Sequence, residues 1–195
     1  MASILSQIHQ EIINDPANAE MIDQGWLPLY TASEKARIVV IGQAPGRKAQ
    51  ESMTPWDDAS GDKLRAWLGV DRETFYNPDS FALIPMDFFY PGKAAHGDKP
   101  PRKDFAPKWH PRLLAAMPSV ELIILVGAYS QAYYLGARAK KTLTETVSAY
   151  AEYLPEFFPL VHSSPLNFRW QAKNPWFQQK VVPALQQQVR TLLSK

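Results

Sequence analysis

The sequence predicts an α/β protein, a three-layer α/β/α sandwich built on a central, mostly parallel four-stranded sheet. Three observations carry that expectation. Four short apolar runs recur along the chain, helical patterns separate them, and 195 residues are enough to bury one core without covalent staples. Strands that alternate with helices need crossover connections, which favour parallel pairing with helices on both faces.

Taken in order, residues 3–14 show apolar residues at helical spacing and predict an amphipathic helix, followed by a loop with room for one more helical turn. The runs RIVVIG (37–42), FALIPM (81–86), ELIILVG (121–127) and FFPLVH (157–162) are short, apolar and rich in β-branched or aromatic residues, as buried strands are. Between them, SGDKLRAWLG (60–69) offers Ser60 as N-cap, Leu64, Trp67 and Leu68 as an apolar face, and Gly69 as a stop. HPRLLAAM (110–117) and YSQAYYLG (129–136) read as further helices. The last helix, 174–195, has Asn174 as cap, Pro175 in the first turn, and Pro183 where a kink is expected. Residues 87–108 form a long basic, proline-rich loop, a length usually reserved for function or disorder. One domain over 1–195 is expected, with 1–36 as a helical extension packed on it.

Composition narrows the function classes. The chain has no cysteine, which excludes disulfides, thiolate metal sites, iron–sulfur clusters and cysteine nucleophiles, and fits a reducing compartment. The N-terminal stretch reads as neither a secretory signal nor a membrane span, so a cytoplasmic location and no membrane partner are expected. A net charge of +2 permits nucleic-acid binding without announcing it, because phosphate contact needs a local basic face. The 17 prolines and 6 tryptophans point to several long, shaped loops.

In parallel α/β sheets, ligands gather beyond the carboxyl ends of the strands. Three features map there: GQAPG (42–46), the loop after the second strand, and HSSPLNFRW (162–170). Gly42 and Gly46 admit close backbone approach and Pro45 stiffens the turn. The pentapeptide lacks the lysine and hydroxyl of a P-loop and the three-glycine dinucleotide spacing, so it is either a tight strand-to-helix turn or a ligand loop of another kind. His162 stands where a parallel strand would deliver it to a site, and Ser163, Ser164 and Pro165 describe a polar turn suited to phosphate.

Together, Gly42-Gln43-Ala44-Pro45-Gly46 and His162-Ser163-Ser164-Pro165-Leu166 resemble the two motifs of the uracil-DNA glycosylase superfamily in order and spacing. The strand–helix alternation, Pro55-Trp56 and residues 125–136 extend the resemblance over most of the chain after residue 36. It implies a monomeric DNA-repair enzyme that flips a deaminated base, uracil by preference, out of DNA and hydrolyses its N-glycosidic bond, with no metal or organic cofactor. It also implies roles. Trp56, otherwise a plain core tryptophan, would stack on the base, and Gly42, Gln43 and Ala44 would present amides to its oxygens. His162 would stabilise the departing anion and Leu166 would wedge the base stack, while Gly46, Ser163, Ser164 and Pro165 would contact the flanking phosphates. Asn167 and Arg169 would extend that loop into the groove. Arg47, Lys48, Lys93, Lys99, Arg102 and Lys103 are either phosphate contacts or solvated surface.

The departures matter equally. The most active branch has an aspartate where this chain has Ala44, so water attacks either without a strong base or with help from Asp57, Asp58 or Asp87. The best-known branches with alanine there also carry four cluster-binding cysteines, so the resemblance is to a cluster-free relative, close to the single-strand-selective and mismatch-specific branches or to a related bacterial group of unassigned specificity. The asparagine that reads uracil after the second strand is not evident. Asp87 stands nearby and either reads a base edge or caps a loop, which leaves hypoxanthine and xanthine open as substrates. His96 reads as surface, and Ser163 replaces a customary proline, predicting a looser turn. A different class of function, binding damaged or single-stranded DNA without cleavage, is also compatible with the missing acid.

Overall fold

The computed structural model describes residues 3–195. Its four strands, β1 (Ile38–Ile41), β2 (Phe81–Leu83), β3 (Leu122–Val126) and β4 (Phe157–Leu160), are all parallel and lie in the order β2-β1-β3-β4. Alternation along each strand creates two cores, because successive side chains leave a strand on opposite faces. Ile38 and Val40 pack with Leu64, Phe75, Phe158 and Phe177, whereas Val39 and Ile41 pack with Ile8, Phe88, Trp109 and Leu125. The first layer is made by α4 (Ala59–Leu68), α5 (Arg72–Tyr76), α8 (Leu143–Ser148) and α10 (Val182–Leu193), and the second by α1 (Ile4–Asn14), α6 (Phe105–Ala115) and α7 (Ala128–Leu135). The three-layer α/β/α sandwich is therefore present, with helices on both faces of a four-stranded parallel sheet.

Several boundaries differ from expectation for identifiable reasons. The helix after residue 58 is capped by Asp58, not Ser60: the Asp58 carboxylate accepts the Gly61 amide at 2.9 Å, and Gly69 ends the helix in the left-handed region. α6 begins at Phe105 and carries Pro111 inside, so the long loop stops at Asp104. The final helix opens with a π turn, Phe177–Val181, and Pro183 sits in the first turn of α10; the wider turn accommodates the missing amide as a local irregularity, which is the interruption expected there. Asn174 does not cap it through its side chain, which instead donates to the Trp170 carbonyl and accepts from the Trp176 indole. α3 (Arg47–Ser52) follows Gly46 directly, as the strand-to-helix reading of GQAPG implies, whereas three short helices were not foreseen: α5, α8 and α9 (Phe168–Lys173).

The loop after β2 is ordered around a buried ion pair. Asp87 is 1% exposed, and Arg102 grips it at 2.7 and 2.8 Å while the amides of Phe89 and Arg102 donate to the same carboxylate. The guanidinium also donates to the Ala17 carbonyl and Asn18 Oδ1 and lies over the Phe89 and Phe105 rings, so the N-terminal segment and α6 converge on one cation. The outer edge of β2 is covered in turn: Thr31 and Leu83 exchange backbone hydrogen bonds, and Leu29 donates to Phe88. Removing one partner of a buried pair strands the other charge, so Arg102→Met is expected to lower unfolding free energy by about 3–5 kcal/mol in urea titration. The Asp87→Asn/Arg102→Met double variant should recover part of that loss, because no buried charge is left alone.

Candidate functional site

β1 points its carboxyl end into the region where the strand order reverses, between β1 and β3, the switch point at which such sheets bind ligands. The backbone beyond β1 is held from one side only. Carbonyls of Gly42 and Gln43 accept the Met86 and Asp87 amides at 2.9 and 3.3 Å, continuing the β1–β2 ladder past the strands. The amides of Gln43 and Ala44 make no hydrogen bond among the described residues, so the corner offers two donors at the sheet edge. The Gln43 side chain donates to the Lys99 carbonyl at 3.4 Å, tying the corner to the long loop. Around Gly46 there is open space, whereas a Cβ on Gly42 would lie 2.7 Å from the Trp56 indole. Gly42 is thus glycine because Trp56 lies against it.

Trp56 adopts φ +57°, a left-handed conformation that costs a bulky residue roughly 1–2 kcal/mol unless its surroundings hold it. They do so at close range. A Cβ on Gly61 would fall 1.7 Å from the Trp56 carbonyl oxygen, so α4 approaches this peptide as only glycine allows. The Trp56 and His162 rings are 6.0 Å apart between centroids and inclined by 35°. An aromatic face and an imidazole therefore meet beside the free amides of the first motif.

His162 leaves β4 into a turn stitched by hydrogen bonds. The Ser164 amide donates to His162 Nδ1 at 3.0 Å, the Asn167 carboxamide donates to the His162 carbonyl at 2.6 Å, and the Leu166 amide donates to Ser164 Oγ at 3.2 Å. These three hydrogen bonds link the turn where Ser163 stands in place of the customary proline. An Nδ1 that accepts a backbone N–H carries no proton, which places the imidazole's single proton on Nε2. Burial pushes the His162 pKa below its ordinary value against a weaker upward pull from Asp58, which reinforces the neutral form. Gly127, φ +91°, packs its Cα side against the imidazole; a Cβ there would touch His162 Cβ and Cδ2 at 3.8 Å. Beyond the turn, Leu166 is 84% and Phe168 60% exposed, two apolar side chains presented to solvent next to the site.

Of the residues singled out from sequence, Gly42, Gln43, Ala44, Trp56 and His162 converge, with Asp58 close enough for its charge to act on the imidazole. Asp57 is held by Arg72 at 2.8 Å. Asp87 is a loop anchor rather than a base reader, since both its oxygens are taken, and Arg102 is its partner rather than a phosphate contact. Arg47 lies over the Tyr90 ring, Arg169 over Phe168, and Lys93 pairs with Asp98; Lys48, Lys99, Lys103 and His96 are exposed. Asn167 serves the turn itself, as does Ser164. Ser163 is fully buried, so it is not presented at the surface toward a phosphate, and its hydroxyl has no partner. Gly61, Gly127 and Arg65 were missed. Arg65 donates to the Trp56 carbonyl from nine residues along the chain, a relation that motif reading does not reveal.

A parallel α/β/α domain with main-chain donors, an aromatic face and a neutral imidazole at its switch point has the parts of an enzyme that binds a planar heterocycle. Residues 29–186 match the family model of the uracil DNA glycosylase superfamily, and the chain belongs to that superfamily. It is accordingly a DNA glycosylase-type hydrolase of DNA repair, acting on DNA, and no helix among the described residues is long and apolar enough to cross a membrane. Both glycines against Trp56 should be irreplaceable, to different degrees. Gly42→Ala is expected to destabilise by about 1–3 kcal/mol through overpacking. Gly61→Ala should cost more, because the clash is with backbone; equilibrium unfolding of the two variants checks the order.

Proposed function

We propose that this protein is a monofunctional DNA glycosylase that hydrolyses the N-glycosidic bond of a deaminated base, uracil foremost, flipped out of DNA, and leaves an abasic site. The observation that carries the reading is the fixed His162 tautomer, a neutral imidazole with its proton on Nε2. As the bond from C1′ to the base nitrogen breaks, its electron pair passes to the base, and negative charge grows on the pyrimidine O2. A donor held ready for that charge is worth about 3–4 kcal/mol in a site of this kind. The free amides of Gln43 and Ala44 suit base oxygens, Trp56 suits the base face, and Leu166 suits the gap left in the stack, with Arg47, Lys48 and Arg169 near the DNA backbone. Water adds to C1′ and gives up a proton.

With Asp57 engaged by Arg72 and Asp87 by Arg102, Asp58 is the carboxylate with reach toward the centre, one oxygen capping α4 and the other without a partner among the described residues. We assign to it the orientation of the water. The same reading takes the chain as one domain acting as a cytoplasmic monomer, the N-terminal segment belonging to it because Arg102 and Lys108 bind that segment.

The decisive experiment is release of abasic product from oligonucleotides containing uracil, hypoxanthine or xanthine, single-stranded, paired and mispaired. His162→Ala is expected to lower the single-turnover rate by about 10²–10³-fold. Tight binding of damaged DNA with no product from any base would instead identify a binding protein. Because the neutral imidazole is the working form, activity should be steady at neutral and higher pH. It should fall as pH drops through a midpoint below the ordinary 6.5, where Nδ1 takes a proton and loses the Ser164 amide. The pH profile of the single-turnover rate checks this.

A further inference from the structure

The stacking tryptophan lies on a loop whose four residues, 55–58, are each held from outside. Tyr76 donates its hydroxyl proton to the Pro55 carbonyl at 2.7 Å, Arg65 donates to the Trp56 carbonyl at 3.3 Å, Arg72 pairs with Asp57 at 2.8 Å, and the Gly61 amide binds Asp58 at 2.9 Å. Arg65 stands at the centre of this set. Its side chain is 7% exposed, its guanidinium binds Asp62 at 2.6 Å and reaches the Tyr76 hydroxyl at 3.4 Å, and it lies over the Phe75 and Tyr76 rings. Ordinary helix surface needs no such residue. A guanidinium is suited to it because its several fixed N–H groups bind a carbonyl, a hydroxyl and a carboxylate at once, which an ammonium does not.

The carbonyl it binds belongs to a residue at φ +57°, where an L side chain is strained. In that conformation the indole lies against Gly42 and faces His162. We propose that Arg65 is a positioning residue for base stacking: its hydrogen bond holds Trp56 in the left-handed conformation that sets the indole as the floor of the base pocket, with Tyr76 as the second strut. The inference rests on the glycosylase reading for the identity of the stacked group. It does not rest on that reading for the link between Arg65 and Trp56.

The test is a double-mutant cycle. Single-turnover cleavage of a uracil-containing oligonucleotide is measured for the unaltered chain, Arg65→Met, Trp56→Ala and the pair. Arg65→Met should lower the rate about tenfold or more, as small misplacements of a binding surface do. In the Trp56→Ala background it should add less than about twofold, because its route to the substrate is gone. An unaltered rate, or equal losses in both backgrounds, would overturn the proposal. Should Arg65→Met fail to fold, Tyr76→Phe removes one strut and leaves the cation, and the same two comparisons decide. A second readout needs no substrate: iodide quenching of Trp56 emission, isolated by difference against Trp56→Phe, should rise in Arg65→Met, and unchanged quenching counts against the link. A chain that yields no product from any base, yet shows this rise, would remove the glycosylase reading while leaving Arg65 in its role.

Discussion

The interaction on which the site depends lies outside it. A carboxylate that is 1% exposed is tolerable only when its charge is matched and its lone pairs are filled, and Asp87 meets both conditions through Arg102 and two backbone amides. Fixing Asp87 fixes the backbone that carries it. The amides of Met86 and Asp87 then bind the carbonyls of Gly42 and Gln43, and a peptide whose carbonyl is anchored has its neighbouring N–H aimed as well. The free donors of the first motif are thereby oriented before any ligand arrives. Arg102 extends the same constraint to residues 17 and 18, and so ties the N-terminal segment to the loop that anchors the site.

On the other side of the switch point, geometry is set by what is left out. Gly42 and Gly61 lack the atoms that would push Trp56 away, and Gly127 beside His162 takes a φ of +91°, which a side chain would strain. Around these gaps the chain places hydrogen bonds in place of flexible contacts. The His162 turn shows the principle most clearly, since three backbone or carboxamide donors pin a segment that has serine where proline would have stiffened it. Satisfied polar groups join the Pro165 ring in shaping the turn. The exception is the buried Ser163 hydroxyl, for which the structure supplies no partner.

The strands were legible because a buried parallel strand has little freedom in what it can be made of: IVVI and LIILV declare themselves as apolar, β-branched runs. The central residues of the site were legible for a related reason, as a glycine at a strand end and a histidine before a polar turn are local patterns. What stayed hidden was long-range or too short. α5 and α9 span five and six residues, below the length at which periodicity accumulates. α8 does carry a signal, the Thr142–Glu145 capping box, but it stands in a polar stretch with little apolar periodicity behind it. Asp87 caps loop amides, one of its two expected roles, but its ion pair was hidden because the partner lies fifteen residues away, and Arg102 read as either a phosphate contact or solvated surface for the same reason. Arg65 reads as one more charge on an amphipathic helix, although the atom it holds belongs to a tryptophan in the left-handed region.

These placements bear on the alanine of the first motif. A glycosidic bond that breaks toward an oxocarbenium-like sugar depends on a good leaving group and a place for its charge more than on a strong nucleophile. The donors of the site are two oriented amides and an imidazole whose Nδ1 accepts the Ser164 amide, and in the proposed function all of them serve the departing base rather than the water. On the proposed reading, Ala44 removes the group with least to do in the rate-limiting step, and Asp58, held by α4 near the imidazole, needs only to orient a water that attacks a carbon already cationic. Its negative charge also opposes the desolvation that keeps His162 neutral, so a carboxylate nearer or stronger would draw a proton onto Nδ1 and displace the Ser164 amide. A weak, peripheral acid and a neutral histidine are then two sides of one electrostatic balance, which an aspartate at position 44 would shift.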